Sequence, residues 1–92
     1  VQESASNAYT KLLSSIKKYN IEPLNSYYDD YQISLIRYSG LMEDWDNTYK
    51  IATQFFDLKN KTNKSTLYWA ALSVYKKNDF IGACNLLKVW LN

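Results

Sequence analysis

The chain has 92 residues, 47% of them apolar, with two glycines, one proline and a net charge of +2. That length and composition fit one folded domain and exclude disorder, an all-β fold with many tight turns, and nucleic-acid binding argued from net charge alone. With no histidine and a single cysteine, Cys84, an intrachain disulfide, the usual zinc sites and Cys–His or Ser–His–Asp catalysis are also excluded.

The charge is divided along the chain. Residues 1–46 hold Lys11, Lys17, Lys18 and Arg37 against seven acids, whereas residues 47–92 hold seven lysines against Asp57 and Asp79. A basic second half is either a solvated surface or one that meets phosphates. No run approaches the roughly 18 apolar residues of a membrane span, and no secretion signal is visible. The expected setting is intracellular.

Ser4 or Ser6 is expected to cap a first helix running to about Tyr19, with Ala5, Tyr9, Leu12, Leu13 and Ile16 as its apolar stripe. Asn20 suits a left-handed stop, and Pro23 suits the first turn of the next helix. That second helix falls within 24–39, with Asp29 and Asp30 at its start, Tyr28, Tyr31, Leu35, Ile36 and Tyr38 facing inward, and Gly40 as its breaker. Asp44 or Asp46 should cap a third helix to about Leu58. Its inward residues are Trp45, Thr48, Tyr49, Ala52, Phe55 and Phe56. Aromatics at helical spacing read as core rather than as a base-stacking platform.

KNKTNKS (59–65) is the one obvious loop, and it contains two glycosylation-type triplets, Asn60-Lys61-Thr62 and Asn63-Lys64-Ser65. Ser65 or Thr66 should cap a fourth helix. Residues 66–91 read as two helices joined by Lys76-Lys77-Asn78-Asp79. Leu67, Ala70, Ala71 and Val74 form one stripe, and Ala83, Leu86, Leu87 and Trp90 the other. Ala71, Val74, Ala83 and Leu87 should make the contact between them, with Cys84 packed beside it.

An offset of 35 residues lays the 32–56 segment on the 67–91 segment. Leu35 and Ile36 meet Ala70 and Ala71; Trp45 meets Phe80; Thr48 meets Ala83; Ile51 meets Leu86; Phe55 meets Trp90. The first helix joins in: Leu12, Ile51 and Leu86 share a position, as do Leu13, Ala52 and Leu87, and Ile16, Phe55 and Trp90. Tyr9 to Thr48 is four residues longer than the repeat, which places an insertion within 24–30. The expected architecture is all-α: a five-helix antiparallel α-solenoid with a half repeat at 1–23 and full repeats at 24–60 and 61–92.

A period near 35 with two helices per unit resembles the tetratricopeptide and pentatricopeptide repeats. YTKLLSSIKKYNIEP (9–23) is similar to the second helix and closing turn of a pentatricopeptide motif. The large residues Ile16, Phe55 and Trp90 stand where a tetratricopeptide motif has a small one.

The pentatricopeptide resemblance implies binding of single-stranded RNA, a mitochondrial setting, and base reading through Ile33, Tyr68 and Asn63. Ile33 departs from that pattern because it has no polar group for a base edge. Backbone contact through Lys59, Lys61, Lys64, Lys76 and Lys77 needs only charge. The tetratricopeptide resemblance implies a protein-binding scaffold. Neither implies catalysis, a cofactor or a membrane. Both imply a piece of a longer solenoid, able to self-associate through uncovered end helices.

Overall fold

The computed structural model describes residues 2–60 and 63–91, and all secondary structure among them is helical. The elements are α1 (Gln2–Lys18), α2 (Tyr28–Leu41), α3 (Trp45–Lys59), α4 (Lys64–Lys76) and α5 (Phe80–Leu91). The Cα envelope measures 40 × 30 × 16 Å, two helices thick. Each helix packs on the next in sequence, and α2 also packs on α4. Residues 42–44 link α2 to α3 and residues 77–79 link α4 to α5, whereas the longer segment 19–27 links α1 to α2.

The core centres on Leu35 and Ile36 of α2, Ile51, Ala52 and Phe55 of α3, and Ala70 of α4. Tyr9, Leu12 and Ile16 of α1 close one side, and Leu86 and Trp90 of α5 close the other. Leu12, Ile51 and Leu86, and likewise Ile16, Phe55 and Trp90, lie in or against this cluster, whereas Leu13, Leu87, Trp45 and Phe80 do not. A hydroxyl pair is fully buried between α2 and α3, with Ser39 Oγ and Thr48 Oγ1 2.8 Å apart. Ser39 also reaches the Ile36 carbonyl at 2.9 Å, and Thr48 the Asp44 carbonyl at 2.9 Å. Two hydroxyl hydrogens can serve only two of those three contacts at once.

The α2–α3 and α4–α5 turns share several bonds at the offset of 35, though Met42 donates to Tyr38 four residues back and Lys77 to Val74 three back. The Glu43 N–H donates to the Gly40 carbonyl at 2.9 Å, and the Asn78 N–H to Tyr75 at 2.9 Å. The Asp44 N–H donates to Ser39 at 3.0 Å, and the Asp79 N–H to Val74 at 3.3 Å. Glu43 and Asn78 are both left-handed, with φ of 61° and 66°. Asp44 then accepts the Asn47 N–H at 3.4 Å, and Asp79 the Gly82 N–H at 2.8 Å. Each aspartate thus satisfies a donor left over at a helix start.

Several local expectations are corrected. Helix α1 starts at Gln2, so Ser4 and Ser6 lie inside it rather than at its cap. Pro23 lies in the α1–α2 link, ahead of α2. Gly40 does not break α2: the helix runs to Leu41 and the left-handed residue is Glu43. The loop after α3 is shorter than 59–65, because Asn60 (φ 52°) stops α3 and Asn63, not Ser65 or Thr66, caps α4. Asn20 is left-handed as expected, with φ of 51°.

Burial corrects the faces too. Leu13 is 46% exposed and Tyr49 40%: Leu13 lies off the Tyr9, Leu12 and Ile16 stripe that meets the core, and Tyr49 stands at an open cleft. The buried line of α4 is Thr66, Ala70 and Ser73, one position round from the expected stripe. Ala83 is 7% exposed, as the hairpin reading requires.

Candidate functional site

Two of the lysines expected to face phosphate, Lys59 and Lys77, are engaged within the chain. Lys59, in the last turn of α3, donates to the Pro23 carbonyl at 2.6 Å, lies 3.4 Å from Asp29 Oδ1 and sits 5.2 Å from the Tyr28 ring centroid. It ties the end of α3 to the α1–α2 link, which uses its ammonium internally. Burial, with the Asp29 carboxylate adding to it, pushes the Tyr28 phenol above its ordinary pKa. Lys77 pairs with Asp46 across the α3–α4 boundary. Lys61 lies outside the described residues.

The expected base-reading residues are dispersed. Ile33 packs against the core cluster. The Asn63 side chain accepts the Thr66 N–H at 2.8 Å, so its carboxamide oxygen serves as the α4 cap. Tyr68 is 59% exposed and meets Trp69 edge-on at 5.1 Å. Of the expected residues, Lys64, Tyr68 and Lys76 share one element. They stand at 64, 68 and 76 on α4; Lys64 and Tyr68 lie one turn apart, and Lys76 lies about 120° round the helix from Lys64.

Tyr68 borders a groove of about 680 Å³ between α4 and α5. Ala71, Leu72 and Tyr75 line it from α4; Ala83, Cys84 and Leu87 line it from α5. Tyr68 and Phe80 stand at its edges, with Phe80 53% exposed and its ring 5.0 Å from that of Tyr75. Cys84 is exposed here rather than packed, because nothing covers this side of α5. The sequence carried one sign of the groove. FIGACNLLKVWL is apolar nearly all round, the mark of a helix with two sides to cover.

A second cleft, of about 730 Å³, lies between α3 and α5 and is lined by Tyr49, Thr53, Asp57, Asn85, Val89 and Trp90 among others. The stacked rings of Phe56 and Trp90, 4.6 Å apart, join the same two helices. Among the described residues no cluster of acids or cysteine could hold a metal ion, and no helix is long and apolar enough to cross a membrane. The chain matches no known protein family, no curated protein and no solved structure.

Proposed function

We propose that the chain is a non-catalytic helical-repeat module that binds protein, in the manner of the tetratricopeptide-like alternative. Two hairpins that share several turn bonds support the repeat reading. The observation that carries the binding reading is the aromatic and aliphatic surface of the second hairpin. Tyr68, Tyr75 and Phe80 are 59%, 52% and 53% exposed around an apolar groove. Rigid aromatic side chains around a groove suit protein contacts.

The pentatricopeptide-like reading, with single-stranded RNA as ligand, draws less support. It relies on Lys59, which is bound internally, on Lys77, which is ion-paired, and on Ile33, which packs against the core. Fluorescence anisotropy with mixed-sequence single-stranded RNA, at about 50 mM and about 200 mM salt, separates the two. Weak association with a shallow salt slope is expected. Tight binding that falls steeply with salt would overturn the protein-binding reading in favour of RNA.

A further inference from the structure

The seat that α4 occupies on the preceding hairpin indicates what the open groove takes. Subtracting 35 from Ala71, Tyr75, Ala83 and Leu87 gives Ile36, Gly40, Thr48 and Ala52. All four of these earlier residues are buried. Helix α4 packs on both α2 and α3, and the Trp69 indole approaches Gly40 so closely that a Cβ there would overlap the ring. Leu72 and Cys84 map onto the exposed Arg37 and Tyr49, so the groove matches the filled seat at four of its positions and is wider at its edges. Ala71 and Ala83 leave room for a close helix approach, and Leu72, Tyr75 and Leu87 supply apolar walls.

Charge selects the occupant. Lys64 lies one turn before Tyr68, Lys76 one turn after Leu72, and Lys88 one turn after Cys84. All three are exposed, and none is ion-paired among the described residues. Asp79 is the one acid within 64–91, and it caps α5. A second copy of this chain docking through the same face would set these cations against their own kind, a repulsive contact; one docking through its acidic residues 1–46 is the competing occupant. Single-stranded RNA would meet an apolar floor with little to read on a base edge.

We propose that the α4–α5 groove docks an amphipathic helix of a partner protein, with an apolar stripe that enters the groove and acidic residues on its flanks. The proposal rests on the protein-binding reading and adds the surface and the class of partner.

Cys84, the chain's only cysteine, lies in the groove and reports its occupancy through alkylation by iodoacetamide. The probe is a hydrocarbon-stapled copy of α4 with Lys64→Glu and Lys76→Glu. It should slow alkylation about tenfold when present near ten times its Kd. The same peptide with both lysines retained should protect less at low salt. Tyr75→Glu in the protein should abolish protection with helicity unchanged. Lys88→Glu, at an exposed site, should weaken protection and serves as a second variant should Tyr75→Glu fail to fold.

Absence of protection, with RNA binding also absent, overturns the groove assignment and leaves the protein-binding reading standing. Protection of Cys84 by single-stranded RNA overturns both. Concentration-dependent dimerisation that shields Cys84 without peptide, seen by sedimentation, overturns the proposal and assigns the groove to a second copy.

Discussion

The two hairpins share a turn and differ in what covers them. In α2–α3, Ile36, Thr48 and Ala52 are 0% exposed, enclosed by α1 on one side and α4 on the other. In α4–α5, Ala83 alone is buried among the apolar residues of the last helix whose burial is described, and Cys84, Ile81 and Val89 face outward. The two helix pairs thus share turn geometry but not burial, because burial depends on a neighbour as well as on the pair itself.

The largest expected contrast is at the paired positions Phe55 and Trp90. Phe55 is 2% exposed in the central core, and Phe55→Ala should cost roughly 3–5 kcal/mol in urea unfolding. Trp90 is half-buried against Phe56, and Trp90→Ala should cost less than half as much. Equal losses would mean that the two hairpins are equally covered.

The next pair is Gly40 and Tyr75. Gly40→Ala drives a methyl group into the Trp69 ring and should cost roughly 1–3 kcal/mol. Tyr75→Ala, at the exposed counterpart, should stay within about 0.5 kcal/mol. A harmless Gly40→Ala would show that α4 can shift away from α2 freely.

The smallest effect concerns the Tyr28–Asp29–Lys59 tie, which belongs to the first hairpin. Tyr28 keeps its proton in the folded chain at pH values where an unfolded tyrosine has lost it. Its contribution is therefore intact below about pH 10 and is lost as the pH rises through the folded pKa. Tyr28→Phe should soften the decline in melting temperature between about pH 9 and about pH 11, with less change near neutrality. Parallel declines in the two proteins would mean that the phenol is not shielded.

Local chemistry that a few neighbouring residues complete was legible in advance. Asp44 at a helix start, Asn20 as a left-handed stop and Ala83 at the hairpin contact each depend on residues close in sequence. Gly40 was misleading because its cost within a helix, about 1 kcal/mol, is offset by burying the Trp69 indole against α2, thirty residues away in sequence. Asn63 was not distinguished from Ser65 and Thr66, since all three residue types can cap and the loop length decides between them. Cys84 was misplaced because an apolar helix face looks the same in sequence whether or not a partner covers it.

For the candidate surface the division is similar. Lys59 and Lys77 are lysines in a basic segment until the fold brings Pro23 and Asp46 to them, and then their charges are partly spent within the chain. By itself the sequence determined five helices and some of their caps and stops, Asp44 and Asn20 among them, because periodicity and caps act over a few residues. Only the tertiary structure decided which apolar faces are closed and which cations remain free, because those depend on contacts between residues distant along the chain.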